Sequence, residues 1–410
     1  MQNETRKFDL NIESILENWE EYHAVREVIS NAIDEELLSQ TKKVEIYKEK
    51  NLWFMRDYGR GLKYENLTQN ENPEKINHPN TIGKFGIGLK DALATFHRKG
   101  IKVTIKSKYN DISTGLTNKS GFNEIETLHA YIDPASDPRM EGTIFTFENL
   151  KDTDMKKAKE LFLRYNNIEL IENTKYGSVY NNDHKPGKIF INGVYVAEEE
   201  NFLFSYNITD LTKKIKSALN RERTNVGRGA YSDRVVDILK QSQSELIANL
   251  LIEDLKRYST GDMHEEVKRI DIQEHAVKIL NIKGKNVFLT PEDTANNPML
   301  VDEAKNAGFN IVYIPEKLKE KISGSKDIEG NTIIDLTGFI KKYSESFEYE
   351  FVERNDLTDH EKLILNQTDK IFNLIGGKPS EVAEIKITEK IKRDLSNFQE
   401  AVGVYERSSL

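Results

Sequence analysis

A chain of 410 residues, 37% hydrophobic and 31% charged, exceeds what one ordinary core holds, so a globular protein of two to four domains is expected. It has no cysteine, which excludes disulfides, thiolate catalysis and cysteine-ligated zinc, and its net charge of -9 excludes a whole-molecule attraction to nucleic acid while leaving a local basic groove open. No apolar run approaches the ~18 residues of a membrane span and the opening MQNETRKFDLNIES lacks the apolar stretch of a signal peptide, so the expected location is the cytoplasm, with no membrane partner.

The first predicted element is a helix over ESILENWEEYHAVREVISNAIDEELL (13–38), where Val25, Val28, Ile29, Ala32, Ile33 and Leu37 recur at helical spacing as a core-facing stripe. Glu27, Asn31 and Asp34 follow one another at i, i+4 and i+7 and project from one side, with His23 one turn earlier. Glu27 can take a proton from an attacking water, and the amide oxygen of Asn31 is a hard ligand suited to Mg²⁺. Taken alone, the same residues also suit a solvated helix face.

VEIYKE (44–49) and LWFMRD (52–57) alternate as the strands of a hairpin that ends at Asp57 in the turn DYGRG. Gly59 and Gly61 let backbone pass close to a flat ligand, and a buried Asp57 could accept a hydrogen bond from an amino group such as that of adenine. The polar, turn-rich stretch KYENLTQNENPEKINHPNTI (63–82) has the composition of a mobile lid. Gly83, Gly86 and Gly88 then open an amphipathic helix, LKDALATFHRKG, whose Leu89, Ala92, Leu93 and Phe96 face a core and which ends near Gly100. Free backbone N–H groups at its start, with Lys84 and Lys90 nearby, suit a polyphosphate. No G-x-x-x-x-G-K-[ST] occurs, and the loop does not follow a strand directly, so neither a P-loop nor a dinucleotide fingerprint is present. GTIFTF (142–147) is a further strand.

Taken together, E-x-x-x-N-A-x-D, D-x-G-x-G, G-x-x-G-x-G and the strand G-T resemble, in order, the four signature motifs of the GHKL superfamily, which groups the gyrase B subunit, the ninety-kilodalton heat-shock chaperone, sensor histidine kinases and MutL. In style IGKFGIGLK is similar to the chaperone and MORC branches. The resemblance implies an α/β (α+β) chain opening with a Bergerat-fold ATPase sandwich that holds ATP through Mg²⁺. It assigns Glu27 as the water-activating base, His23 as its support, and Asn31 as the metal ligand. Asp34, Asp57, Gly59, Gly61 and Thr143 fall to the nucleotide pocket, and Lys84, Phe85, Gly86, Ile87, Gly88, Leu89 and Lys90 to the phosphate loop. The intact Glu27, and the lack of a phosphoacceptor helix, favour hydrolysis over phosphotransfer to histidine.

Beyond residue 150 the sequence predicts a helix over 151–170, strands KIFINGVYV (188–196) and FLFSYNI (202–208) around an Asn-Gly turn, the segment SALNRERTNVGRGAYSDRV (217–235), and a long helix to about Tyr258. This order resembles the transducer domain of the same superfamily, in which a basic residue senses the γ-phosphate. Arg221, Arg223 and Arg228, with Asn225, are the candidates here, and Arg223 is the chosen one. NVFLT (286–290), a helix through VDEAKNAG and NIVYIP (310–315) form a β-α-β-like unit in which Glu292 and Asp293 read as helix-capping residues. LTDHEKLILNQTDKIFNLIGGKPSEVAEIKITEKI (357–391) reads as a helix, a Gly-Gly stop and a charged strand or second helix. No HExxH occurs, which leaves protease chemistry unsupported.

The expected domains are an ATPase over 1–155, a transducer-like domain over 156–260, a small α/β domain over 261–345 and a mainly helical segment over 346–410. The expected activity is Mg-dependent ATP hydrolysis driving a clamp cycle, with homodimerisation on nucleotide binding and a protein or DNA partner, in a setting such as bacterial defence or stress. A nucleotide-dependent adaptor with little hydrolysis and a chaperone-like remodeller are the competing functions.

Overall fold

The computed structural model describes the chain except residues 1–4, 11–18, 68–73, 76–77, 79, 84–87, 120–124, 184–185, 220–225, 260–261, 346, 368–369, 371–373, 375–386, 394–398 and 401–410. The fold mixes helices and sheets in the α+β manner and divides into two compact units, Met1–Ile247 with Asp262–Ile272, and Ala248–Gly261 with Gln273–Leu410.

The first unit begins with an antiparallel sheet of seven strands: β1 (Arg6–Asp9), β2 (Glu45–Glu49), β3 (Leu52–Asp57), β4 (Lys102–Ser107), β5 (Asn110–Asn118), β6 (Glu126–Pro134) and β7 (Thr143–Glu148), in the order β1-β6-β5-β4-β7-β3-β2. Three helices share its core: α1 (Glu21–Ser39), α2 (Gly88–Arg98) and α3 (Asp152–Glu160). Alternate residues of the strands, among them Met55, Val103, Ile105, Phe145 and Phe147, are buried with Val25, Val28, Ile29 and Ala32 of α1 and Ala92, Leu93 and Phe96 of α2. A period of two on the strands meets a period of 3.6 on the helices, and each fully buried large aliphatic side chain contributes roughly 1.5–3 kcal/mol. The predicted stripe of α1 is narrower than its spacing suggested. Leu37, on the last turns before a left-handed C-cap at Gln40, is exposed.

A second sheet follows in the same unit. Its strands are β8 (Leu170–Asn173), β9 (Gly177–Asn181), β10 (Gly187–Ile191), β11 (Val194–Glu199) and β12 (Phe204–Ile208), in the order β11-β10-β12-β9-β8, with β10 and β12 parallel. The Asn-Gly turn joins β10 to β11 with positive φ at both Asn192 and Gly193, as a tight hairpin requires. Helices α4 (Lys213–Ala218), α5 (Arg228–Gln241) and α6 (Glu245–Leu255) come next. The single long helix expected to reach Tyr258 is therefore interrupted. At Ser242 the backbone turns extended, and the Glu172 carboxylate accepts from the Ser242 hydroxyl and from the N–H groups of Gln243 and Ser244, a better partner for them than another turn of helix.

After α7 (Ile270–Lys283), the second unit pairs β13 (Asn286–Leu289) in parallel with β14 (Asn310–Tyr313) across α8 (Pro291–Asn296) and α9 (Pro298–Asn306), the predicted β-α-β-like pattern. Asp293 does cap a helix: its carboxylate accepts the Thr290 N–H at 3.0 Å, and the Thr290 hydroxyl accepts the Asp293 N–H at 3.1 Å. Helix α10 (Glu316–Ile322) follows, and α11 (Leu336–Glu345) joins the core around Val287, Leu289, Val301 and Phe339. Residues 346–410, expected to be mainly helical, contain α12 (Asp359–Leu365) and also three antiparallel strands, β15 (Phe347–Val352), β16 (Ile387–Arg393) and β17 (Gln399–Glu400). The period-two alternation in FEYEFV and ITEKIKR carries that strand signal. No helix among the described residues is long and apolar enough to cross a membrane.

Candidate functional site

The polar side of α1 faces the glycines that precede and open α2. Helical periodicity buries Ala24, Val25, Val28 and Ile29 against the sheet and sets Glu27, Asn31 and Asp34 on an adjoining stripe. A methyl group built on Gly88 would collide with the Glu27 carboxylate, so α2 starts directly against that side chain and glycine leaves the room for it. At Gly83 a methyl group would lie 3.0 Å from Asp34 Oδ2 and 3.5 Å from Asn31 Oδ1.

Each of these side chains already has a partner. Glu27, 14% exposed, pairs at 2.8 Å with Arg26, which is 2% exposed and lies 5.5 Å from the centre of the Trp19 ring. His23, expected to support Glu27, accepts the Glu20 N–H through Nδ1 at 3.1 Å in a capping box and packs against the Tyr22 ring in a tilted pair. Asp34 is fully buried and accepts the N–H groups of Ile82 at 2.6 Å and Gly83 at 2.7 Å, so its carboxylate fixes the backbone that enters the glycine loop. Asn31 Oδ1 accepts from Lys75 Nζ at 2.9 Å, and the same ammonium lies 3.3 Å from Asp34 Oδ2.

The ends of β3 and β7 form the second part. Their register pairs Asp57 with Thr143, which lies opposite Ser107 on its other side. Asp57 is 5% exposed and accepts the Gly59 N–H at 2.9 Å. Burial pushes its carboxyl up to about 6, against the pull of the Gly59 N–H and of Thr143, and the nearby Glu35 charge adds to the rise. The Thr143 hydroxyl accepts the Leu62 N–H at 3.0 Å. Gly142 has φ +77° and its missing side chain makes way for the Asp57 carbonyl; Gly61, at φ +85°, passes close to the Gly142 carbonyl. Glu35 accepts from Arg60 at 2.9 Å and fills the space over Gly59, which ties the DYGRG turn to α1.

The structure thus brings Glu27, Asn31, Asp34, Gly83 and Gly88 into one cluster and sets Asp57, Gly59, Gly61 and Thr143 at the neighbouring strand ends, joined to α1 through Glu35. Leu89 and Lys90 lie half-buried on the first turn of α2. Lys84, Phe85, Gly86 and Ile87, and Arg221, Arg223 and Asn225 of the basic segment, lie outside the described residues. Arg228 is committed elsewhere: its guanidinium pairs with Glu199, which also accepts from Tyr231, and it lies over the Phe202 ring.

Sequence reasoning missed Arg26, Lys75 and the Glu35–Arg60 pair. Trp19 precedes the Glu20 cap of α1, so its contact with Arg26 had no helical spacing to announce it. Lys75 sits in a stretch without periodicity and offered no signal either.

Among the described residues no group of three or more histidine, aspartate and glutamate side chains suits a metal ion. The Asn31 amide oxygen already accepts from a cationic donor, the behaviour a metal-ligating oxygen needs. A separate cavity of about 450 Å³ lies on another side of α1, lined by Ile33, Ile82, Phe162, Arg164, Tyr180 and Asn192 among others. Neither Glu27 nor Asp57 lines it.

A family model described as the Mycoplasma pneumoniae MPN635 N-terminal domain matches residues 153–245, from α3 through α5 to the start of α6. A protein of Mycoplasma pneumoniae (strain ATCC 29342 / M129 / Subtype 1), described as an uncharacterized protein, is 38% identical over 243 residues, which are 58% of this chain and 98% of that protein. The chain belongs to that protein's family. A second uncharacterized protein of the same strain is 35% identical over 136 residues, 32% of this chain and 39% of its own length.

Proposed function

We propose that this chain binds Mg·ATP against α1 and the ends of β3 and β7 and hydrolyses it in a cycle of conformational change or dimerisation that acts on a protein or nucleic-acid partner. The observation that carries the reading is Asp57: a buried carboxylate at a strand end, beside the positive-φ turns of Gly61 and Gly142, with acceptor capacity left after the Gly59 and Thr143 bonds. Such a group reads the amino group of a flat base, and the Glu27–Asn31–Asp34 stripe lies next to it on the far side of Glu35.

In this reading Asn31 would hold a magnesium ion, which would supply charge neutralisation to the phosphates. Glu27 takes the proton of the attacking water, and Asp34 holds the loop backbone at Ile82 and Gly83. The sequence-level resemblance to GHKL ATPases supports the same assignment. Isothermal titration with a nonhydrolysable ATP analogue tests it: Asp57→Asn loses binding, whereas Glu27→Ala keeps binding and loses turnover. An Asp57→Asn chain with unchanged affinity overturns the site.

A specific observation favours a second reading, a nucleotide-dependent adaptor with little hydrolysis. Glu27 is ion-paired to a buried arginine, so the carboxylate the hydrolysis needs is already engaged with a partner of its own. Turnover by the native chain above that of Glu27→Ala decides for hydrolysis. Light scattering with and without the analogue reads the dimerisation step.

A further inference from the structure

The amide oxygen of the proposed metal ligand, Asn31, faces a lysine. Lys75 is 17% exposed; its ammonium lies 2.9 Å from Asn31 Oδ1 and 3.3 Å from Asp34 Oδ2, and its Nζ comes within 3.8 Å of a methyl group built on Gly83. Asp34 gives its two oxygens to the Ile82 and Gly83 N–H groups, so lysine and loop backbone converge on one buried carboxylate. The stretch is fastened at its neighbour as well: Glu74 accepts from Arg60 at 2.9 Å, and Arg60 donates to Glu35, the residue after Asp34. The Thr81 hydroxyl donates to the Lys75 carbonyl and, at 3.0 Å, to the His78 carbonyl. Two consecutive charges of this stretch are therefore clamped to two consecutive acids of α1.

We infer that the Lys75 ammonium is the protein's own cation on the Asn31 and Asp34 oxygens, and that divalent metal arriving with nucleotide must displace it. The inference rests on the nucleotide reading above. Its basis is charge: an amide oxygen that ligates a dication cannot also face an ammonium at hydrogen-bond distance without strong repulsion in a largely dewatered site. Lys75 thereby sets the metal requirement of the site, because each ion that binds does so against a resident competitor. Because the Lys75 carbonyl accepts from Thr81, its departure also disturbs the residue before Ile82.

The test is a titration of the full chain with Mg²⁺ at a fixed concentration of a nonhydrolysable ATP analogue, read by calorimetry, for the native chain, Lys75→Met and Lys75→Arg. Lys75→Met should lower the Mg²⁺ concentration at half-binding by about tenfold or more, because the competitor is gone, while Lys75→Arg stays near the native value. An unchanged or raised Mg²⁺ midpoint in Lys75→Met, with analogue binding intact, overturns the inference and leaves the nucleotide reading standing. No analogue binding by the native chain at any Mg²⁺ concentration overturns the nucleotide reading and the inference with it.

Should loss of the Asp34 partner prevent Lys75→Met from folding, the native chain supplies the readout. Lys75 should acylate slowly with an amine-reactive ester in metal-free protein and at least several-fold faster once Mg²⁺ and analogue are bound, as followed by peptide mass spectrometry. A Lys75 labelling rate unchanged or slowed at saturation overturns the displacement.

Discussion

The two sheets of the first unit each bury a carboxylate, and burial pushes both up to about 6, yet the two are used differently. Glu266, beside the second sheet, accepts from the N–H groups of Leu203 and Phe204 and from the Tyr206 hydroxyl at 2.9 Å. Its oxygens are spent on the chain's own donors, and it pins residues 262–272 to that sheet. Asp57, at the end of β3 in the first sheet, accepts the Gly59 N–H and bonds from Thr143, and its carboxylate has acceptor capacity beyond them. A shifted acidity therefore does not mark a site by itself. What separates the two is how much acceptor capacity the fold leaves unused.

The largest effect belongs to the helix that faces the first site. Glu27→Ala should lower ATP turnover by about 10²–10⁴-fold, the usual worth of a positioned general base, with analogue affinity unchanged. A phosphate-release assay beside calorimetry reads both. An equal fall in affinity would mean that Glu27 binds and does not catalyse.

The second sheet should answer in stability alone. Glu266→Ala leaves two backbone donors and the Tyr206 hydroxyl without their acceptor, a loss of about 3 kcal/mol or more in urea unfolding, with analogue affinity retained. Folding raises the Glu266 pKa, so the native chain is most stable below the carboxyl's ordinary value of 4.5 and loses that part as pH rises to about 6. The gap between native chain and variant should accordingly be wider at pH 5 than at pH 8. The opposite order breaks the comparison.

Asp57→Asn should separate binding from stability. Folding raises this pKa from 3.8 to about 6, so stability declines as pH rises through that window and the full cost, of order 3 kcal/mol, persists above it. Asparagine carries no such cost. The variant should melt higher than the native chain at pH 8, converge with it near pH 4, and bind the analogue about 10–100-fold more weakly through loss of a charged acceptor. A variant that melts lower at pH 8 would make Asp57 a structural group like Glu266.

Much of this contrast was legible in the sequence. Helical spacing gave the α1 stripe and the alternation of LWFMRD placed Asp57 at its strand end, because periods of 3.6 and 2 are local properties. The Asn-Gly hairpin and the Asp293 cap were readable for the same reason. The break at Ser242 was not, since it depends on Glu172, about seventy positions earlier in the chain. Lys75 on Asn31 and Arg60 on Glu35 likewise join residues with no common period, and the choice of Arg26 over His23 as partner of Glu27 was made by the capping box at Glu20. The strands after residue 346 were marked by their alternation, and the neighbouring helical run of 357–375 outweighed it.

The smallest effect sharpens the boundary between the two sheets. Arg228 stood among the basic residues considered as a γ-phosphate sensor, yet its guanidinium is held by Glu199, with Glu265 3.7 Å away and the Phe202 ring beneath it. The side chain is 42% exposed, so solvent screens the pair and Arg228→Ala should cost below about 1 kcal/mol. Two of its N–H donors are held by Glu199, and with the guanidinium engaged there turnover should stay within about twofold of the native value, since interactions absent from the transition state leave the rate unchanged. A fall approaching that of Glu27→Ala would show that nucleotide draws Arg228 away from Glu199. The second sheet would then contribute to the site, and the division between a ligand-facing sheet and a self-satisfied one would fail at that residue.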